Sequence, residues 1–277
     1  MANKDSKAQE QTTQVLLRKL ELERKKSSEV TDTEIELVNK LVWTTGFNEK
    51  SVNIVWPSLC RNPSQKQIRT LMKDGQRSSS QNAIYSGIDS FWVGTYHNLE
   101  NTPEEIDLGK KIIRAAAEIV TDSANAASDY SLINFYNRIS SPPYSSDCFN
   151  TVSDGIVHNP QMISVMIEEL NKEMIKKQSK DSVTNDDIYT TREFLMRTIS
   201  VSELPEGQIA CTNLMNTLHN AERKRLEKKQ YCNFDNQNEE QKQQEWQELD
   251  ERHAGDKKIL DKFSTNSSSP HDRELSY

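Results

Sequence analysis

The sequence predicts an all-α protein, a multi-helix globular body with extended N- and C-terminal helical arms. Three observations predict it. Glycine is scarce, at 8 residues in 277, so phosphate loops, nucleophile elbows and tight hairpins lack their usual material. Helix-start signals recur, at Thr102-Pro103-Glu104-Glu105, Asn159-Pro160 and Pro205-Glu206. Between such signals, apolar residues return at helical spacing.

Residues 1–10 read as a loose tail. An N-terminal helical arm follows over 11–30, with Leu16 and Leu20 on a narrow apolar stripe among charged neighbours. Thr33 and Glu36 fit a capping box for the next helix, which carries Ile35, Val38, Leu41 and Val42 and stops near Gly46. Residues 47–60 are apolar and end or kink at Pro57. Asn62-Pro63 reads as an N-cap with proline at N1, followed by Ile68, Leu71 and Met72 up to Gly75. The aromatic segment 83–99 fits helix or strand equally.

Thr102 opens a helix with Ile106, Ile113, Ala117, Val120 and Ala124 on one face. Asp129 can cap another, and two prolines break the pattern within 140–150. Asn159-Pro160 leads into Ile163, Met166, Ile167, Leu170 and Met174. A helix near 186–200 and one from Pro205 complete the core, which spans 31–232. Over 233–263 a C-terminal helix places Trp246, Leu249, His253, Leu260 and Phe263 at spacings of three, four, seven and three, a partial heptad in which Asp256 spoils one position. Residues 264–277 read as a disordered tail.

Composition narrows the function. Net charge is −7 and mean hydropathy −0.81, which argues against coating nucleic acid through bulk charge. Cys60, Cys148, Cys211 and Cys232 form no close pair, so no zinc site is expected. The histidines, His97, His158, His219, His253 and His271, lie far apart and read as surface or capping residues. Asp186-Asp187 and Glu168-Glu169 read as solvated helix residues. No nucleotide-loop, metalloprotease or hydrolase signature is present. The expectation is a non-enzyme without metal or cofactor, lacking a signal peptide or membrane span, and located in the cytoplasm or a virion.

One local signal points to nucleic acid. Arg61, Lys66, Arg69, Lys73 and Arg77 face a single acid, Asp74, and Trp56, Tyr85, Trp92 and Tyr96 lie nearby in sequence. Basic strips beside aromatic rings hold single-stranded RNA through phosphates and stacked bases. An ordinary amphipathic helix with a basic outer face fits the same residues. A second basic run, Arg223-Lys224-Arg225 with Lys228-Lys229, is interleaved with acids and reads as a salt-bridged exposed helix.

These features together suggest a structural assembly protein that forms homo-oligomers. Leu16, Leu20, Trp246, Leu249, Leu260 and Phe263 are the expected oligomerisation residues, and a viral coat or nucleocapsid protein contacting RNA is one concrete form. The alternative is a cytoplasmic adaptor or regulatory scaffold that captures a protein partner through its C-terminal helix.

Overall fold

The computed structural model describes residues 2–45, 49–74, 102–123, 132, 133, 136, 159–232 and 238–265. Gly46, Gly75, Arg77, the 83–99 segment, the Asp129 cap, the proline break at 140–150, His97, His158, His271 and residues 266–277 lie outside them. Among the described residues the chain is all-α, with no strand. No described helix is long and apolar enough to cross a membrane. The chain divides into two compact units between Met162 and Ile163, so the span 31–232 belongs to both.

The first unit contains α1 (Ala2–Lys26), α2 (Asp32–Thr45), α3 (Glu49–Leu59), α4 (Gln65–Asp74) and α5 (Pro103–Ser123). α1 packs on α2, α2 on α3 and α4, and α4 on α5. The residues read as a loose tail are thus helical from Ala2. Val38, Leu41, Ile68, Ile112, Ile113 and Val120 are at most 4% exposed and build this core. On α5 the buried face also takes in Leu108, Ala115, Ala116 and Ile119, so it is wider than the stripe read from sequence.

Local hydrogen bonds explain the boundaries. α2 is capped two residues earlier than the Thr33–Glu36 reading: Thr31 Oγ1 accepts the Glu34 N–H at 3.1 Å. Pro57 lies inside α3, which continues to Leu59. Asn62 ends that stretch with φ 53° instead of capping the next helix, a left-handed conformation that asparagine tolerates. Ser64 is the cap of α4: it accepts the Gln67 N–H at 3.3 Å, while Gln67 Oε1 accepts the Ser64 N–H at 2.9 Å. At α5 the expected start stands, since Thr102 and Glu105 exchange capping bonds of 3.2 and 3.3 Å.

The second unit contains α6 (Pro160–Ser179), whose first turn precedes the division, then α7 (Asn185–Thr198), a short 3₁₀ turn η1 (Ile199–Glu203), α8 (Pro205–Cys232) and α9 (Glu239–Thr265). Asn159 caps α6 as expected, with Oδ1 accepting the Gln161 and Met162 N–H groups at 3.1 and 3.2 Å. Thr184 and Asp187 form the capping box of α7. Asp187 also takes Lys177 Nζ at 2.6 Å, which ties α7 to α6. It is therefore a structural carboxylate, not the solvated one read from sequence. η1 packs on α8 and α9, and α8 packs on α7 and α9. Phe194, Leu195, Leu214, Leu218, Leu249 and Leu260 are all buried.

Candidate functional site

The basic strip does not stand free. Arg61 donates Nη1 to Glu34 Oε2 at 2.6 Å and reaches the carbonyls of Ser27, Ser28 and Glu29. Glu34 is fully buried and also accepts Arg24 Nε at 3.2 Å and Ser58 Oγ at 2.7 Å. Arg24 extends the knot to the Ile54 carbonyl at 2.8 Å. One carboxylate thus fastens α1, α2 and the end of α3. Arg69 is engaged by Glu118 at 2.9 Å and by Asp122, both on α5. Lys66 is exposed. The Lys73 side chain and Arg77 lie outside the described residues. Two of the five strip residues therefore have their charge answered within the chain.

The two arms differ from the sequence expectation. On α1, Leu20 is 1% exposed and shares its face with half-buried Leu16. That face packs on α2 in the same chain, so Leu20 is not available to another copy. The opposite face is uncovered: Val15 is 53% and Leu22 61% exposed. They lie seven residues apart, two turns along one stripe. Exposed Arg18, Lys19 and Lys25 surround them.

The C-terminal helix folds back antiparallel on α8. Leu249 and Leu260 are buried at 4% and 6% within the chain, and half-buried Trp246 donates Nε1–H to Gln230 at 3.0 Å. Phe263 is half-buried. The partial heptad finds its partner inside the molecule, where α9 packs on α8. The outer face of α9 keeps exposed acids at Glu240, Glu248 and Glu251.

At the middle of this hairpin sits a buried polar cluster. His219 and Glu222 come from α8, His253 and Asp256 from α9, and Arg192 from α7. The imidazoles stack at 3.7 Å, 13° from parallel. Each points Nε2 at a carboxylate of the opposite helix, His219 to Asp256 at 3.0 Å and His253 to Glu222 at 2.9 Å. Arg192 grips Glu222 through both arms at 3.1 and 2.5 Å and touches Asp256 at 3.1 Å. Arg252 adds a contact to Glu222 at 3.2 Å. Both histidines are 5% exposed, so the expectation of surface or capping roles fails for them. Asp256 does not spoil a packing position; it is a designed polar one, 8% exposed and fully paired.

Electrostatics follow from these contacts. Burial alone would raise the Glu222 carboxyl, but Arg192 and His253 outweigh it and hold it below the usual carboxylate range. Asp256 behaves alike, with His219 and Arg192 overcoming burial. Burial pushes the His253 imidazole below its ordinary value, against the opposing pull of Glu222. The cluster thus sets two acids held below their usual range and one arginine around the two stacked rings. Among the described residues no group of three or more His, Cys, Asp or Glu is arranged to hold a metal ion, because the Arg192 guanidinium already supplies the cation. The Cys211 thiol, buried in this unit, is pushed up to about 12 by burial, which leaves it inert as a nucleophile.

No protein family, curated protein or solved structure matches the chain.

Sequence reasoning missed this cluster although a signal was present. His219 with Glu222 and His253 with Asp256 both show a histidine followed three residues later by an acid. That spacing places each pair on one helical face. A search for histidine pairs within one helix passes over it, since the two halves meet only when the helices run antiparallel.

Proposed function

We propose that this chain is a non-enzymatic structural assembly protein that associates with copies of itself through the outer face of α1. The observation that carries this is the exposure of Val15 and Leu22, a heptad apart, on a helix whose other face is already buried on α2. A helix held this firmly by the Glu34 knot presents a rigid apolar seam, so little ordering entropy opposes docking. The occupant is the outer face of α9 on a second copy. Arg18, Lys19 and Lys25 around the seam complement Glu240, Glu248 and Glu251 there. Such a contact joins two different surfaces, and repetition builds rings or filaments. A coat or nucleocapsid protein is one form of this reading. Its RNA half loses Arg61 and Arg69 to intramolecular pairs, so no RNA groove is assigned. The adaptor alternative requires α9 to leave α8 before its apolar stripe meets a partner.

Charge reversal tests the docking mode. Lys19→Glu with Lys25→Glu, or Glu240→Lys with Glu251→Lys, should each weaken self-association in sedimentation velocity. An equimolar mixture of the two variants should restore it. Unchanged association in both variants would contradict the reading.

A further inference from the structure

We propose that the α8–α9 hairpin is closed by a proton-sensitive latch: the His219–His253 stack holds α9 on α8 while the His253 imidazole is neutral and releases it when that ring is protonated. The geometry makes protonation costly in two ways. Each Nε2–H already donates to a carboxylate, so the next proton must go to Nδ1. Among the described residues neither Nδ1 has an acceptor, and both rings are 5% exposed. A new N–H donor there meets no acceptor from the described residues of the chain. Protonating His253 also sets a positive ring beside Arg192, whose guanidinium already shares Glu222 Oε2 with it, in a medium that screens poorly.

The surrounding charges do not absorb the added protons. From α7, Arg192 faces the stack; from α8, Glu222 and Arg223; from α9, Asp256 and Arg252. η1 also packs on both helices, and its one charged residue, Glu203, is exposed. Glu222 and Asp256 are already answered by Arg192, and Glu222 by Arg252 as well. Asp250, the next acid along α9, is taken by Arg223 at 2.5 Å.

The sign follows directly. A histidine held below its ordinary value in the folded chain stabilises that chain fully above the ordinary value of about 6.5. The contribution fades as pH falls from there through the folded value. Protonation therefore favours the open hairpin, which bares the Trp246, Leu249 and Leu260 stripe. The latch uses the inner face of α9 and the proposed assembly contact its outer face, so repeating the titration on the Lys19→Glu, Lys25→Glu variant lets assembly and latch fail separately.

The experiment is an NMR titration of the full chain from pH 8 to pH 5, with labelled histidine rings and amide exchange corrected for intrinsic rates. His253 should titrate below 6.5, and protection of the 249–260 amides should fall by up to about tenfold per proton taken up per pH unit. The α6 amides should keep their protection over the same range. His253→Gln should remove the pH step in α9; should that variant not fold, the wild-type titration decides alone. A His253 titration at or above 6.5, unchanged α9 protection down to pH 5, or an even loss across α6 to α9 would each overturn the latch.

Discussion

Arg192 bridges Glu222 and Asp256, two acids carried by different helices, and so joins α7, α8 and α9 through one guanidinium. Both acid side chains are 10% exposed. Arg192→Met should therefore leave two nearly buried carboxylates short of their main cation. The expected loss is about 3–5 kcal/mol, measured as a lower urea midpoint with an unchanged slope. A loss below about 1 kcal/mol would show that the guanidinium is dispensable.

Glu34 plays the matching part in the first unit. Glu34→Ala strips Arg24, Arg61 and Ser58 of a shared acceptor. The expected cost is again about 3–5 kcal/mol, toward the lower end because both arginines keep some solvent contact. Amide exchange should rise first at the C-terminal turns of α1, where Arg24 lies.

Gly207 packs α8 against η1 with no room to spare. A Cβ there would run into the Val201 carbonyl oxygen and lie 2.9 Å from Val201 Cγ1. The obstacle is backbone, which cannot rotate aside. Gly207→Ala should destabilise the second unit by about 1–3 kcal/mol despite the better helix propensity of alanine. A stabilised variant, read by thermal unfolding, would mean that η1 shifts freely.

Asp187 gives a pH signature at the acid end. Burial would raise its carboxyl, but Lys177 and the Thr184 cap outweigh that and hold it below the usual range. Its contribution is present above the ordinary value of about 3.9 and is lost as pH falls through the lower folded value. Asp187→Asn should flatten this limb of the stability–pH curve below pH 4 while leaving the limb near pH 6 unchanged.

Helix positions were legible because their signals are local. Thr102-Pro103 and Asn159-Pro160 set their helices where a cap and a ring-locked φ predict. Asn62 and Thr33 misled for the same reason: several residues nearby can cap, and the choice depends on where the helix must pack. Thr31 wins because Glu34 then reaches Arg24 and Arg61, residues 10 and 27 positions away. The apolar stripe of α9 was visible, but not its occupant. Leu249 and Leu260 look unsatisfied until α9 turns back onto α8. Asp256 looked like a defect because its partners, His219 and Arg192, are distant in sequence. Arg61 and Arg69 looked available for phosphate because nothing local reveals Glu34 or Glu118 beside them.

Multi-angle light scattering of the full chain against concentration tests self-association through α1 most directly. The wild type should rise above the monomer mass as concentration increases, and Val15→Asp with Leu22→Asp should stay monomeric with unchanged helicity. A wild type that remains monomeric at every concentration, or a double variant that associates equally well, would contradict the account.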